Sequence, residues 1–353
     1  PMPSRLASDA EHLALIEAMA HAGGGVYMVT KGGQMPVALL EEMSARSGRP
    51  VMIAALLHNG TNPGAVFADL DAISAANRRG RPLIGQVSCC PLTMEFTLAS
   101  PYPVEGLKSW QPALGKAGAA LVEVLADPRF RDSVRDELAA PAVFRLFNGE
   151  WDKVHVVEVS QPAHRALEQQ SIASLAEQQG KDPLDAMLDL ALAEQLETIF
   201  TAQLLNSDEA AVARLLNHPH SLISLSDAGA HLTFFNDAGF GLHLLGHWVR
   251  DRGVMSLPEA VRRLTQQSAQ IFGLPGRGEL REGHAADLLL FDPATVGRAP
   301  KRRVNDLPGG AARLTTDALG VHGVWVNGQQ VADANGLIDA APLAGELITE
   351  FRR

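Results

Sequence analysis

Asp227 is the residue of this 353-residue chain whose position points most directly to chemistry. It follows the apolar run 221–225 and lies in the loop Ser-Asp-Ala-Gly-Ala-His at 226–231. A carboxylate at the carboxyl end of a barrel strand can bind a metal ion and take a proton from metal-bound water. Gly229 would let the backbone turn away from such a site, and His231 could orient a carboxylate or the substrate. The alternative is an aspartate that caps the next helix.

Two other side chains follow apolar runs in the same way. His58 comes after the run 50–57, and Lys31 comes after the run 26–29. His58 is a provisional metal ligand beside Asp227, since imidazole and carboxylate are both zinc ligands. A lysine in this position can be carbamylated between two metals in barrel hydrolases, but a single lysine is a weak signal.

Paired histidines and cysteines give weaker signals. His243 and His247 are four residues apart on a predicted helix, a spacing that holds zinc when a glutamate accompanies it. That glutamate is absent, so exposure or helix packing is the preferred interpretation. Cys89 and Cys90 have no base nearby in sequence, which argues against a catalytic thiol.

Strand and helix patterns alternate along most of the chain. Apolar strand-like runs lie at 26–29, 50–57, 83–88, 154–159 and 221–225, and helical patterns lie at 8–20, 36–46, 62–79, 171–179, 182–194, 208–217, 242–252 and 257–272. This order predicts a parallel sheet of five core strands covered by helices, over residues 1–275. The pattern breaks at about 92–150, which predicts an insertion that serves as a lid or substrate loop, or only packs on the surface. Short strands and an Asn-Gly turn at 327–328 predict a small β domain over 276–353.

Composition limits the class of protein. Hydrophobic residues make up 46% and charged residues 20%, which is typical of a folded, soluble chain. With 30 basic and 40 acidic residues, the net charge of −10 disfavours nucleic acid as a partner. No run is long and apolar enough to predict a membrane span. The only two cysteines are adjacent and cannot form a disulfide framework, so we expect a cytoplasmic protein.

Several motifs together resemble the amidohydrolase superfamily. They are the loop 226–231, Leu-Thr at 264–265 with Phe-Gly-Leu at 272–274, Arg-Gly at 277–278 with Gly-His-Ala-Ala-Asp-Leu at 283–288, Asn-Asp-Leu-Pro-Gly-Gly at 305–310, and Val-Asn-Gly at 326–328. The branch that looks most similar is the D-aminoacylase group, the N-acyl-D-amino-acid deacylases. The resemblance covers most of the chain and is weakest in the insertion.

The resemblance implies a (β/α)8 TIM barrel with a composite β-sandwich built from both chain ends. It implies a hydrolase of non-peptide C–N bonds that uses a divalent metal, most often zinc, and acts on a small amide. Asp227 matches the family's eighth-strand aspartate, which activates the water and protonates the leaving amine. In the leading hypothesis, His231 could support that loop and His58 is a provisional metal ligand.

Two departures from the family pattern bear on function. Thr30 and Ala55 stand where the fifth- and sixth-strand histidines would be, and His58 has the wrong parity on its strand. The His-x-His strand and about three barrel strands have no counterpart, so we expect the C-terminal part of a longer enzyme. A complementary N-terminal segment or a homo-oligomer would complete it. The alternatives are a non-catalytic barrel that serves in binding or assembly, and a metal-independent hydrolase.

Overall fold

The computed structural model describes residues 6–32 and 35–351. The α-helices are α1 (Asp9–Ala20), α2 (Val37–Ser47), α3 (Ala65–Arg78), α4 (Gly118–Ala126), α5 (Pro128–Ala139), α6 (Ile172–Gln179), α7 (Pro183–Ala193), α8 (Glu209–Asn217), α9 (Phe240–His243), α10 (Leu257–Leu264) and α11 (Gln266–Phe272). A π-helix, Leu244–Asp251, continues α9. The strands are β1 (Tyr27–Thr30), β2 (Val51–Ala54), β3 (Leu83–Val87), β4 (Leu92–Phe96), β5 (Val154–Glu158), β6 (Ile199–Leu205), β7 (Ser221–Ile223), β8 (Leu288–Phe291), β9 (Gly297–Arg298), β10 (Arg302–Val304), β11 (Arg313–Thr315), β12 (Ala318–Leu319), β13 (Val321–Val326), β14 (Gln329–Asp333) and β15 (Gly336–Leu337).

A parallel sheet of four strands, in the order β1-β2-β3-β7, forms the centre of the fold. Its strands are short apolar runs because helices cover them, and β2 is buried through Val51, Met52 and Ile53. Helices α1, α2, α3 and α8 and the π-helix contribute Ile16, Leu40, Met43, Leu70, Ile73, Leu215 and Trp248 to the same hydrophobic core. All four strands run the same way, so their carboxyl ends meet at one edge of the sheet.

Helix ends follow the residue types at their boundaries. Ser8 caps α1 by accepting a hydrogen bond from the Glu11 N–H at 3.2 Å, as its sequence predicts. Asp182 caps α7 at the N–H of Leu184, with proline in the first turn. The predicted single helix over 257–272 is wrong in one respect, because the chain breaks at Thr265 into α10 and α11.

The prediction of five core strands is also wrong. The strand at Val154 exists, but it belongs to a separate antiparallel sheet of order β4-β6-β5. The chain therefore leaves the parallel sheet after Val87 and returns to it only at Ser221. Between them, residues 92–205 include α4 to α7 and have their own core around Phe96, Trp110 and Phe200. This segment is called the insertion below, and it is much longer than the predicted insertion at 92–150.

The region after α11 is built from short antiparallel strands. One sheet has the order β15-β14-β13-β8, and its central hairpin turns at Asn327 and Gly328 as predicted. In this sheet β8 is an outer strand, and Leu288, Leu289 and Leu290 are 37%, 44% and 54% exposed. The division of the chain at residue 275 and the β-sandwich stay predictions.

Candidate active site

A cavity of about 230 Å³ opens at the carboxyl edge of the parallel sheet. It lies beyond the ends of β2, β3 and β7, where the sequence places its candidate residues. The lining residues are Ala55, Leu57, Ser88, Cys90, Leu92, Met94, Tyr102, Leu205, Leu225, Ser226, Asp227, His231, Phe235 and Asp237. Asp227 and His231 thus share one cavity, and β4 and β6 of the insertion form part of its wall.

The loop that carries Asp227 is held in an unusual backbone conformation. Asp227 and His231 have φ values of 46° and 54°, and Gly229 between them has a φ of 97°. Non-glycine residues adopt this left-handed region at a cost, although aspartate and histidine tolerate it better than most. The helix-cap alternative for Asp227 is wrong, because the next helix begins only at Phe240. The aspartate is therefore presented by a tight turn, with the Ala230 N–H bonded to the Asp227 carbonyl at 3.1 Å.

The same loop is anchored to the C-terminal β region. The backbone N–H of Leu314 donates to the Leu232 carbonyl at 2.8 Å, and the Asn236 side-chain amide donates to the Leu314 carbonyl at 2.8 Å. The Asn236 side chain also caps its own turn by accepting from the Ala238 N–H at 2.7 Å. These bonds fix the C-terminal side of the turn that presents the candidate aspartate.

Asp237 adds a buried ion-pair cluster to this anchor. Its side chain is only 3% exposed, and its Oδ1 lies 3.2 Å from Arg298 and 3.1 Å from the Lys301 Nζ. The Lys301 Nζ is not aligned for a hydrogen bond, so it contributes charge alone. By sequence alone, Asp237 is compatible with a simple loop cap. No local pattern joins it to cations more than sixty positions later.

His58 lies close to the carboxyl edge but outside the cavity lining. It is 5% exposed, and its backbone N–H donates to the Asn206 Oδ1 at 2.7 Å. The Asn206 N–H returns a bond to the His58 carbonyl at 2.9 Å, so Asn206 ties the end of β6 to the loop after β2. The Nδ1 atom of His58 is buried and has no hydrogen-bond partner among the residues that the structure describes. The structure therefore does not bring His58 and Asp227 to one cavity, and a ligand role for His58 stays a prediction.

Lys31 lines a second cavity, of about 200 Å³, beside the first. The two cavities share the wall formed by Ala55, Leu57 and Leu205. The Nζ of Lys31 pairs with Asp69 on α3 at 2.9 Å. From the insertion, Val143 and Phe144 line the second cavity and are 84% and 63% exposed.

The paired histidines and cysteines serve packing. His243 and His247 stack with ring centroids 4.9 Å apart, and His247 bonds to Glu209 at 2.8 Å. Burial, reinforced by the nearby Arg298, lowers the pKa of His243 to about 3, so this ring is neutral near pH 7. Cys89 is fully buried and burial raises its pKa, which disfavours a thiolate.

The described residues alone do not fit a metal site. No group of three or more His, Cys, Asp or Glu side chains within residues 6–32 and 35–351 is arranged to hold an ion. Asp237 is one of the cavity's carboxylates, but two cations already occupy it. Thr30 and Ala55 offer no strong ligand at the ends of β1 and β2. The roles of Asp227 and His58 as metal ligands stay predictions.

An α/β sheet with polar loops at its carboxyl edge is the arrangement of many hydrolases, and comparison with known proteins defines the class. Residues 5–332 match the amidohydrolase family, and the chain belongs to that family. The D-aminoacylase of Alcaligenes xylosoxydans xylosoxydans is 42% identical over 88 residues, which are 25% of this chain and 16% of that protein. The N-acyl-D-aspartate deacylase of the same organism is 35% identical over 130 residues, 36% of this chain and 24% of that protein. The resemblance to the D-aminoacylase branch is confirmed.

Solved structures show the same fold. N-acyl-D-glutamate deacylase from Bordetella bronchiseptica, solved with zinc and a phosphonate inhibitor, matches with a TM-score of 0.55 and 22% identity. It covers 98% of this chain, and the chain covers 59% of it. A solved D-aminoacylase matches with a TM-score of 0.54 and 20% identity, over 96% of this chain and 59% of that chain. The chain thus spans little more than half the length of these structures and less of the curated relatives. Across the described residues, no helix has both the length and the apolar character needed to cross a membrane.

Proposed function

We propose that this chain carries part of the active site of a hydrolase that removes the acyl group from an N-acyl-D-amino acid. The observation that carries the proposal is the position of Asp227. Asp227 lines a cavity at the carboxyl edge of the sheet, in a left-handed turn that is hydrogen-bonded on its C-terminal side to the C-terminal β region. The relatives supply the reaction class, since several of them are deacylases of D-amino acids.

In the proposed reaction, Asp227 acts first as a base and then as an acid. It accepts a proton from the water whose oxygen attacks the amide carbonyl carbon, and it returns that proton to the nitrogen as the C–N bond breaks. The products are a carboxylic acid and the free amino acid. His231 supports the loop, with its ring centroid 5.3 Å from that of Phe234. The anchored turn reduces the reorganisation needed when charge develops.

The proposal includes a complementary segment at the level of the whole protein. The strands β1 and β7 are open edges of a parallel sheet, and β8 exposes three consecutive leucines at a sheet edge. Open edges of this kind pair with further strands. An N-terminal amidohydrolase segment would complete an eight-stranded barrel and the β-sandwich, and a homo-oligomer is the second arrangement. A cytoplasmic location belongs to the same proposal.

A divalent metal also belongs to this proposal, with zinc first. Zinc is bound in the related N-acyl-D-glutamate deacylase, and a binuclear metal centre is described for D-aminoacylase. When bound, such an ion polarises the amide carbonyl and lowers the pKa of water. Asp227 would be a ligand from this chain, and the remaining ligands would come from the complementary segment. His58 stays a provisional ligand, because it lies outside the lining of the Asp227 cavity.

The test is Asp227→Asn in the whole metal-loaded protein, assayed on a panel of N-acetyl-D-amino acids. Loss of general acid–base catalysis predicts a fall in kcat of about 100-fold or more. Asp136→Asn, the same chemical change on an exposed face of α5, is the matched control and should keep wild-type turnover. Turnover retained in Asp227→Asn, with folding and metal content unchanged, would contradict the assigned role.

A second function is a non-catalytic barrel that serves in binding or assembly. The lack of a three-ligand group within the described residues favours it. Elemental analysis of the purified whole protein separates the two. Stoichiometric metal together with turnover supports the deacylase, whereas neither metal nor turnover supports the assembly subunit. Turnover that survives strong chelation points to the metal-independent hydrolase.

A further inference from the structure

The only two cysteines of the chain, Cys89 and Cys90, are adjacent and follow β3. Both are buried, with 0% and 1% of their surface exposed. Burial raises the pKa of the Cys89 thiol, and its interaction with the neighbouring Cys90 thiol raises that pKa further. Cys90 lines the cavity that contains Asp227, whereas Cys89 is not among the described residues of that lining. The two thiols are therefore neighbours, but only one belongs to a residue that a small molecule in the cavity can reach.

The peptide unit that joins the two cysteines is hydrogen-bonded on both sides. The Cys89 carbonyl accepts from the indole N–H of Trp248 at 2.6 Å, and the Cys90 N–H donates to the Ser88 Oγ at 3.0 Å. The side-chain amide of Asn206 also donates to the Ser88 carbonyl at 3.1 Å and to the Cys90 carbonyl at 3.4 Å. These bonds fix the backbone of the pair, so the two thiols are held beside each other at the end of β3.

Positive charge lies beside the pair. Arg298 and Lys301 share the single carboxylate of Asp237, which leaves a surplus positive charge at the cavity wall. Burial lowers the pKa of Arg298, but Cys90 and Asp237 outweigh burial and raise that pKa, so the guanidinium lies close to the Cys90 thiol. A cation beside a thiol favours the thiolate, which is the form that attacks a peroxide.

We propose that Cys89 and Cys90 form a redox-active dithiol site whose oxidant is a small hydroperoxide. Cys90 is the attacking thiol because it lines the cavity, and Cys89 is the resolving thiol beside it. Hydrogen peroxide is little larger than a water molecule, which occupies about 30 Å³ in the liquid, so a cavity of about 230 Å³ admits it. The inference goes beyond the proposed function, since it concerns a covalent change of the protein rather than hydrolysis of a substrate.

The oxidation proceeds in two steps that balance. The Cys90 sulfur attacks one oxygen of the peroxide, the O–O bond breaks, and the products are a Cys90 sulfenic acid and one water molecule. The Cys89 sulfur then attacks the Cys90 sulfur, and the hydroxide that leaves takes the Cys89 proton to form a second water molecule. The two thiols lose two electrons and two protons, and the peroxide is reduced to water.

The disulfide that results is strained. Neighbouring Cα atoms are about 3.8 Å apart, whereas most disulfides join Cα atoms about 4.4–6.8 Å apart. The new bond also distorts the peptide unit that Trp248 and Ser88 hold by hydrogen bonds. Strained disulfides are readily reduced, so we expect a small thiol reductant to reverse the oxidation.

The experiment treats the whole protein with hydrogen peroxide, alkylates the remaining thiols and maps the peptides by mass spectrometry. The peptide that contains Cys89 and Cys90 should lose both alkylation sites and weigh about 2 Da less than its reduced form, and dithiothreitol should restore both thiols. Met28, which is 59% exposed, is the internal standard, because its conversion to the sulfoxide shows that the peroxide was active. Met28 sulfoxide in a protein that keeps both cysteines reduced would overturn the proposal.

Two alanine variants separate the attacking thiol from the resolving thiol. In Cys89→Ala, oxidation of Cys90 should stop at the sulfenic acid, which a cyclic dione traps. In Cys90→Ala, Cys89 should stay reduced under the peroxide treatment that fully oxidises wild type. Oxidation of Cys89 in this variant at the wild-type rate would also overturn the proposal.

Alanine is the replacement because serine would bury a hydroxyl group at each position. Circular dichroism shows whether each variant folds. If a variant does not fold, the wild-type experiment with its Met28 standard decides the proposal alone.

Discussion

Replacing Asp237 with asparagine removes the negative charge that holds two cations against the loop of the candidate site. In the native structure its Oδ1 lies 3.2 Å from Arg298 and 3.1 Å from Lys301, and the side chains of the two cations are 14% and 21% exposed. Removing one partner of a buried ion pair leaves the other uncompensated and costs about 3–5 kcal/mol. The asparagine oxygen can still accept one hydrogen bond, and both cations retain some contact with water. We therefore expect the free energy of unfolding to fall by about 3 kcal/mol.

Urea unfolding followed by circular dichroism measures this loss, with Asp317→Asn as the matched control. Asp317 pairs with Arg302 at 3.0 Å, but the two side chains are 60% and 53% exposed, so water screens the interaction. The control should unfold at the wild-type midpoint. If Asp237→Asn shifts the midpoint no further than the control does, the ion-pair cluster does not stabilise the loop, and the reasoning is refuted.

Three other predictions concern packing and pH. In Gly246→Ala, the new Cβ would lie 2.5 Å from the carbonyl oxygen of Val296, so we expect the free energy of unfolding in urea to fall by about 1–3 kcal/mol. The control Gly106→Ala has open space around the new Cβ and should be close to wild type. Equal urea midpoints for the two variants would contradict the close approach at Gly246. The pKa of His243 is lowered from its ordinary value of 6.5 to about 3, so only the unfolded chain takes up this proton and stability should fall as pH drops from 6.5 towards 3. His243→Gln should flatten that slope, and an unchanged slope would contradict the assignment. Burial raises the pKa of Glu194, but hydrogen bonds from neighbouring groups outweigh burial and lower it from 4.5 to about 2. The stability that ionised Glu194 contributes should therefore be complete above pH 4.5 and disappear towards pH 2. Urea midpoints measured at each pH should show this loss of stability in wild type and not in Glu194→Gln.

Local patterns predicted the elements of the fold well, because their causes are local. The cap at Ser8, the hairpin turn at Asn327 and the tight turn at Gly229 each depend on residues within a few positions. The same patterns could not assign the strand at Val154 to its sheet. An apolar run is compatible with either a parallel or an antiparallel partner, and the partner of this strand begins about 45 residues later.

In the candidate site, too, the sequence predicts contacts within one loop but not contacts between distant segments. The approach of Asp227 and His231 to one cavity follows from their shared loop, so sequence alone was sufficient to predict it. The placement of His58 depends on Asn206, which is 148 positions away. Asn206 accepts a hydrogen bond from the backbone N–H of His58 and donates one to the His58 carbonyl. The counter-charges of Asp237 come from a different region of the chain altogether. Contacts of this range leave no periodicity in the sequence.

The antiparallel sheet of the insertion has a consequence for the order of folding. Leu92 and Leu205 are paired neighbours on β4 and β6, so the two ends of this long segment lie side by side. Once that pairing forms, the loop that must close to bring β7 beside β3 shrinks from about 130 residues to about 20, which lowers the entropic cost by about 1.5 kcal/mol. We therefore expect the insertion to fold early on its own core. Its folding would bring β7, the strand before Asp227, close to β3 in the parallel sheet. Changes that weaken the pairing of β4 with β6 should therefore slow folding.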